Sequence, residues 1–170
     1  MNILSFVKKI FLCSALACFF LGLAANSISA AEVISVHGHS GHIEYQDRLT
    51  SDRQFLGWGL QFDQSMGVRN WIHYSLPVPI SCKVRLVGVL FQTGSNDVGI
   101  STIDVFNGST RIYRDSELDL SGDKQWYVVD MGSKRTINEA LGVSIEVGAG
   151  VESMSHQVRI YSVAALWEEF

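Results

Sequence analysis

From Val33 to the C-terminus, apolar and polar residues alternate with a period of two, and nowhere does an amphipathic helical pattern persist for three turns. Successive side chains on a strand point to opposite faces, so a chain patterned this way must bury one face of many strands against a partner layer. The pattern predicts strands at Val33–His37, His42–Tyr45, Gln54–Phe62, Asn70–Leu76, Cys82–Gln92, Ile100–Phe106, Thr110–Arg114, Gln125–Asp130, Gly142–Gly148 and Gln157–Trp167. Several begin at the spacing expected of an antiparallel sandwich or barrel. Runs such as Val87-Gly88-Val89-Leu90-Phe91 are continuously apolar, which suits central strands of two packed sheets. The expected fold is all-β: an antiparallel β-sandwich, jelly-roll-like.

Turn chemistry sharpens the outline. Asn107-Gly108 lies between two strand-like runs, and both residues tolerate the positive φ of a type I′ turn, so a tight hairpin is expected there. Pro77 and Pro79 cannot donate to a sheet ladder and mark a crossing between sheets. Ser121-Gly122-Asp123 reads as another turn, and Ile137-Asn138-Glu139-Ala140-Leu141 as one helical turn before the next strand.

The first thirty residues read differently. Lys8 and Lys9 precede an uncharged apolar run from Ile10 to Ala25, and small residues lead up to Ala30-Ala31. This is the form of a signal peptide over residues 1–30, cleaved after Ala30 and leaving a single domain over residues 31–170. The expected destination is periplasmic or extracellular, with no membrane span after cleavage. Two of the thirteen basic residues and none of the seventeen acidic ones lie in the leader, so residues 31–170 carry a formal charge of −6. Such a surface does not attract nucleic acid or anionic lipid. Cys13 and Cys18 also belong to the leader, so Cys82 is alone in the domain and packing must replace disulfides.

Candidate functional residues fall into two sets. Trp58, Trp71 and Trp126 are candidate stacking surfaces for sugar rings, because a flat apolar ring suits the axial C–H face of a pyranose; the alternative is a place in the core. His37, His39 and His42 fall within six residues. On a strand the first two share a face, the spacing a divalent metal needs, and a turn at Ser40-Gly41 can bring in His42, with His73 as a fourth partner. Packing, hydrogen bonding or solvation explains the same histidines without a metal, and no other cofactor is indicated. No catalytic residues are identified. Ser40 lacks a Gly-x-Ser-x-Gly elbow, and Asp115, Glu117, Asp119 and Asp123 match no calcium loop.

Seven ordered segments carry a resemblance: His37-Gly38, Gly57-Trp58-Gly59, Asn70-Trp71-Ile72-His73, Pro77-Val78-Pro79, Asp104-Val105-Phe106-Asn107-Gly108, Leu120-Ser121-Gly122-Asp123 and Leu141-Gly142-Val143-Ser144. Together they resemble an uncharacterised family of small bacterial β-rich proteins, a domain-of-unknown-function family, over roughly Val36 to Phe170. The resemblance implies a compact all-β domain and carries no established activity. In such sequences Asn usually follows His-Gly where this chain has His39, and His42 is outside the pattern. A site common to the family would therefore use Trp71 and His73, with His37, as ligand-binding residues. The function expected is an exported, non-enzymatic binding module for a glycan, a surface polymer or a protein partner. The alternatives are a metal-binding protein or metal-dependent enzyme built on the histidines, and a structural subunit of an envelope assembly.

Overall fold

The computed structural model describes residues 31–152 and 154–168; the signal peptide expected over residues 1–30 lies outside them. The alternation becomes eleven strands: β1 (Glu32–His37), β2 (His42–Ile43), β3 (Gln54–Leu56), β4 (Gly59–Asp63), β5 (Asn70–Leu76), β6 (Cys82–Thr93), β7 (Ile100–Asn107), β8 (Thr110–Leu120), β9 (Gln125–Ile137), β10 (Leu141–Val147) and β11 (Gln157–Glu168). Two antiparallel sheets result. The first has the order β3-β4-β11-β6-β9, and β11 pairs with β4 over its first half and with β1 over its second. The second has the order β2-β5-β10-β7-β8. Only β3–β4 and β7–β8 are hairpins within a sheet; every other connection crosses from one layer to the other, which makes the sandwich a jelly roll.

One apolar seam holds the layers together. Ile72, Tyr74 and Leu76 of β5, Ile103 and Val105 of β7, and Val143 and Ile145 of β10 face Val87, Val89 and Phe91 of β6 and Val158, Ile160 and Val163 of β11, all buried in one cluster. Each contributes about 1.5–3 kcal/mol relative to exposure for side chains of this size. Cys82 is buried in the same seam with a free thiol, and burial pushes its pKa up. Pro77-Val78-Pro79 carries the chain from β5 to β6, between the sheets, as its missing donors require.

The structure corrects several local expectations. The single strand expected over Gln54–Phe62 is a hairpin, with Gly57-Trp58 as its two-residue loop and Leu56 paired to Gly59. Continuous apolarity hid the turn, and the two glycines mark it. The strand expected over His42–Tyr45 stops at Ile43, and the chain enters a 3₁₀ turn at Gln46–Arg48. At the β7–β8 hairpin the loop is Gly108-Ser109, since Asn107 pairs with Thr110 and only Gly108 has positive φ, +56°. That is the pattern of a II′ turn, displaced by one residue from the I′ turn expected. Asn107 is used otherwise: its side-chain oxygen accepts the backbone N–H groups of Asn138 and Glu139 at 3.1 and 3.0 Å. That anchor replaces the helical turn expected there, and Ile137 is the last residue of β9. Among the described residues the only helical turns are 3₁₀, at Gly38–Ser40 and Gln46–Arg48, and no helix is long and apolar enough to cross a membrane.

Candidate functional site

The outward face of the second sheet carries a cluster of polar and charged side chains. Register places Ser144 of β10 between His73 of β5 and Asp104 of β7, and Glu146 between Trp71 and Thr102. Residues that alternate outward along three adjacent strands thus form one patch. The segment after β2 builds a wall beside it, contributing Glu44, Tyr45 and Arg48, and a groove of 430 Å³ opens between this wall and the sheet, with Trp71, Phe106 and Arg69 also lining it.

Asn70 sets the wall. Its buried side chain donates to the Tyr45 carbonyl at 2.8 Å and accepts the Tyr45 and Trp71 backbone N–H groups at 3.1 and 3.0 Å. The segment Asn70-Trp71-Ile72-His73 therefore divides its labour: Asn70 clamps the wall, Ile72 fills the core, and Trp71 and His73 face the groove. Arg48 stacks over the Tyr45 ring at 3.7 Å and donates to the Arg69 carbonyl at 2.8 Å.

Each polar group in the groove is oriented by a neighbour. The two ring nitrogens of His73 lie 2.8 Å from the Ser144 hydroxyl and 3.1 Å from the Glu44 carboxylate. The Tyr45 hydroxyl, then His73 and Arg48, hold Glu44 below the usual carboxylate range against the opposing effect of burial. Glu146, almost buried, accepts from the Ser101 and Thr102 hydroxyls at 2.7 and 2.9 Å and lies 3.6 Å from Arg69. Asp104, only 3% exposed, takes a bidentate pair of bonds from Arg114 at 2.7 and 2.6 Å and a third from Arg111 at 3.4 Å. A carboxylate buried on an outer sheet face needs such partners to stay charged. The patch is thus a pre-oriented set of acceptors and donors beside two partly exposed aromatic rings, Trp71 and Phe106.

The residues singled out in the sequence are distributed over both faces. Trp71 and His73 lie together in the groove. Trp58, 39% exposed, and Trp126, 51% exposed, lie on the opposite side, with the first sheet: Trp126 covers Gly88 of β6, and Trp58 sits 5.3 Å from the ring of Tyr161 on β11. His37 closes β1, and Gly38–Ser40 then turns as 3₁₀, so the strand spacing that would align His37 with His39 is absent. The two rings still lie 4.4 Å apart, with the His39 N–H donating to His37 Nδ1, while His42 pairs with His73 across β2 and β5. Among the described residues no three His, Cys, Asp or Glu side chains converge to hold a metal ion. Sequence reasoning missed Glu44, Arg69, Asp104, Ser144 and Glu146 as a group. Asp104, Phe106 and Ser144 do stand in the segments that carried the family resemblance, but only cross-strand register brings them beside Trp71 and His73.

The fold is a jelly-roll β-sandwich of the kind found in carbohydrate-binding modules. The low-affinity xylan-binding module CBM86 of Roseburia intestinalis superposes with a TM-score of 0.51 at 13% identity, over 79% of this chain and 96% of that one. The ligand-free module BiXyn10A CBM1 gives 0.51 at 14% identity, over 78% and 95%. These are likenesses of fold. No curated protein matches the sequence. The chain belongs to the family of unknown function DUF6623, which matches residues 30–167.

Proposed function

We propose that this protein is an exported, non-enzymatic glycan-binding module that takes a saccharide in the groove of the second sheet. The observation that carries the reading is the union of Trp71 and Phe106 with the pre-oriented Glu44, His73, Ser144 and Glu146 in one open groove. A pyranose has apolar C–H faces and a rim of hydroxyls, each able to donate and accept. Partly exposed aromatic rings complement the faces, while carboxylates, an imidazole and arginines complement the rim. Polar groups already held in place lose little freedom on binding, which favours a rigid, weakly adapting recognition surface. The fold shared with a xylan-binding module makes xylan-derived chains the first ligands to try.

Titration calorimetry of the purified protein against xylo-oligosaccharides and other neutral and acidic oligosaccharides tests the proposal. Trp71→Ala is expected to weaken binding about tenfold or more, as loss of a stacked aromatic does at other binding sites. Binding indifferent to Trp71, or release of new reducing ends from a retained polymer, counts against it. Export is tested separately: protein recovered outside the cytoplasm should begin at Ala31.

A further inference from the structure

We propose that the outer face of the first sheet is a second saccharide site, on the opposite side of the sandwich, for a pyranose that bears a carboxylate; this rests on the glycan-binding reading above. The face is built around an indole laid flat. Gly88 sits in the middle of β6, among Val84, Val87, Val89 and Phe91, and a Cβ there would come within 3.2 Å of two ring atoms of Trp126. A glycine inside a central strand weakens it and often marks a close approach. Here the approach is that of the Trp126 ring, which keeps half its surface in solvent. A ring seated this way is already in position to stack on a sugar.

A β-bulge supplies the second ring. Ile160 pairs with Phe91 and Ser162 with Leu90, so Tyr161 is the extra residue of β11 and is turned toward Trp58, 5.3 Å away. Bulges re-aim side chains in this manner. The Tyr161 hydroxyl donates to Gln92 at 2.7 Å, which leaves the Gln92 amide nitrogen to donate to a ligand.

Charge identifies the ligand class. Lys124, immediately before β9, lies over Tyr161 at 4.3 Å, and Arg159 lies over Trp58 at 5.6 Å while donating to Gln61 at 2.9 Å. Neither has a carboxylate partner among the described residues, whereas Arg85, Arg111, Arg114 and Lys134 each do. In a chain of net negative charge, two cations without carboxylate partners flank one aromatic pair beside a flat, exposed indole. A uronate ring stacked on Trp126 would direct its carboxylate to these cations. A neutral sugar would leave them unanswered.

The test compares glucuronoxylan with the same polymer after reduction of its carboxyl groups to alcohols, by affinity electrophoresis and calorimetry on the whole protein. The wild-type protein is expected to bind the acidic polymer about tenfold tighter, the value of one charge-assisted contact. Lys124→Gln and Trp126→Ala should each abolish that preference, while Trp71→Ala weakens binding to both polymers without altering their ratio. Lys124 and Trp126 are both exposed, and Lys124→Gln leaves the core and the aromatic faces intact. Equal binding to the two polymers, or a preference that survives both substitutions, overturns the second site and leaves the groove reading standing. Failure to bind either polymer, together with failure to bind any oligosaccharide in the first titration, overturns both.

Discussion

Gly38 shows what a family-resembling residue does at the smallest scale. A Cβ on it would strike the Ile160 carbonyl, and one on Gly41 would come within 2.5 Å of the Tyr74 hydroxyl, which itself donates to the Gly38 carbonyl at 3.0 Å. His37-Gly38 is therefore a packing device that locks the chain between β1 and β2 against β11 and β5. Burial pushes the Tyr74 phenol far above its ordinary range, so it is a neutral donor at neutral pH. Gly38→Ala is expected to destabilise the fold by about 1–3 kcal/mol, the usual cost of forcing atoms into a filled site. Urea denaturation measures it, and a variant as stable as the wild type would refute this account of the motif. Asn70 makes the matching prediction for the groove. Asn70→Ala leaves the Tyr45 N–H without its partner and its carbonyl with only the 3.4 Å bond from the Arg48 N–H, and should cost about 1–3 kcal/mol, with saccharide binding falling further than stability alone explains.

At the scale of elements, the loops decide how the sheets are tied. Asp97, between β6 and β7, accepts from the Val151 and Glu152 backbone N–H groups at 3.1 and 2.8 Å and lies 2.7 Å from His156 Nε2, clasping the β10–β11 connection. Burial alone would raise its pKa; the two backbone donors and His156 outweigh it and hold the carboxyl below the usual range. A lowered folded-state pKa means stability that is present above the ordinary carboxylate range and lost as pH falls through the folded value. Asp97→Asn should therefore be less stable than the wild type at neutral pH, and the gap should close as the pH is lowered below the ordinary aspartate value of about 4. Denaturation midpoints across that range check the sign; a gap that widens in acid refutes the clasp. The β7–β8 hairpin offers a second check. Gly108 is the residue with positive φ, so Gly108→Ala should cost about 1 kcal/mol, while Ser109→Ala should cost little.

For the molecule as a whole, stability follows from the single seam between the layers, with no disulfide among the described residues. Cys82 is 2% exposed, and its raised pKa keeps the thiol protonated. Thiol reagents should label the Cys82 peptide only after denaturation, and reductant should leave the melting temperature unchanged. Labelling of Cys82 in native protein, read by peptide mass spectrometry, would mean that the seam opens. The two outer faces also divide the chemistry: one is a groove of paired ions and aromatic rings, the other an open aromatic face with Lys124 and Arg159 beside it.

Much of this was legible in the linear chain because period-two alternation depends only on neighbours in sequence. It specified the all-β class, placed Asn70–Leu76 at its observed bounds, and located the sheet crossing at Pro77-Val78-Pro79. It failed where a local pattern had two solutions. Apolar continuity from Gln54 to Phe62 concealed a hairpin, and Asn107-Gly108 served either of two turns until the Asn107 side chain found Asn138 and Glu139. The groove was legible only as isolated letters. Trp71 and His73 stood out, but Glu44, Asp104, Ser144 and Glu146 are ordinary residues until register lays them side by side. Spacing along the chain determined which side chains face out. Pairing between strands far apart in sequence decided which of them meet, because cross-strand contact depends on backbone hydrogen bonding that no single segment encodes.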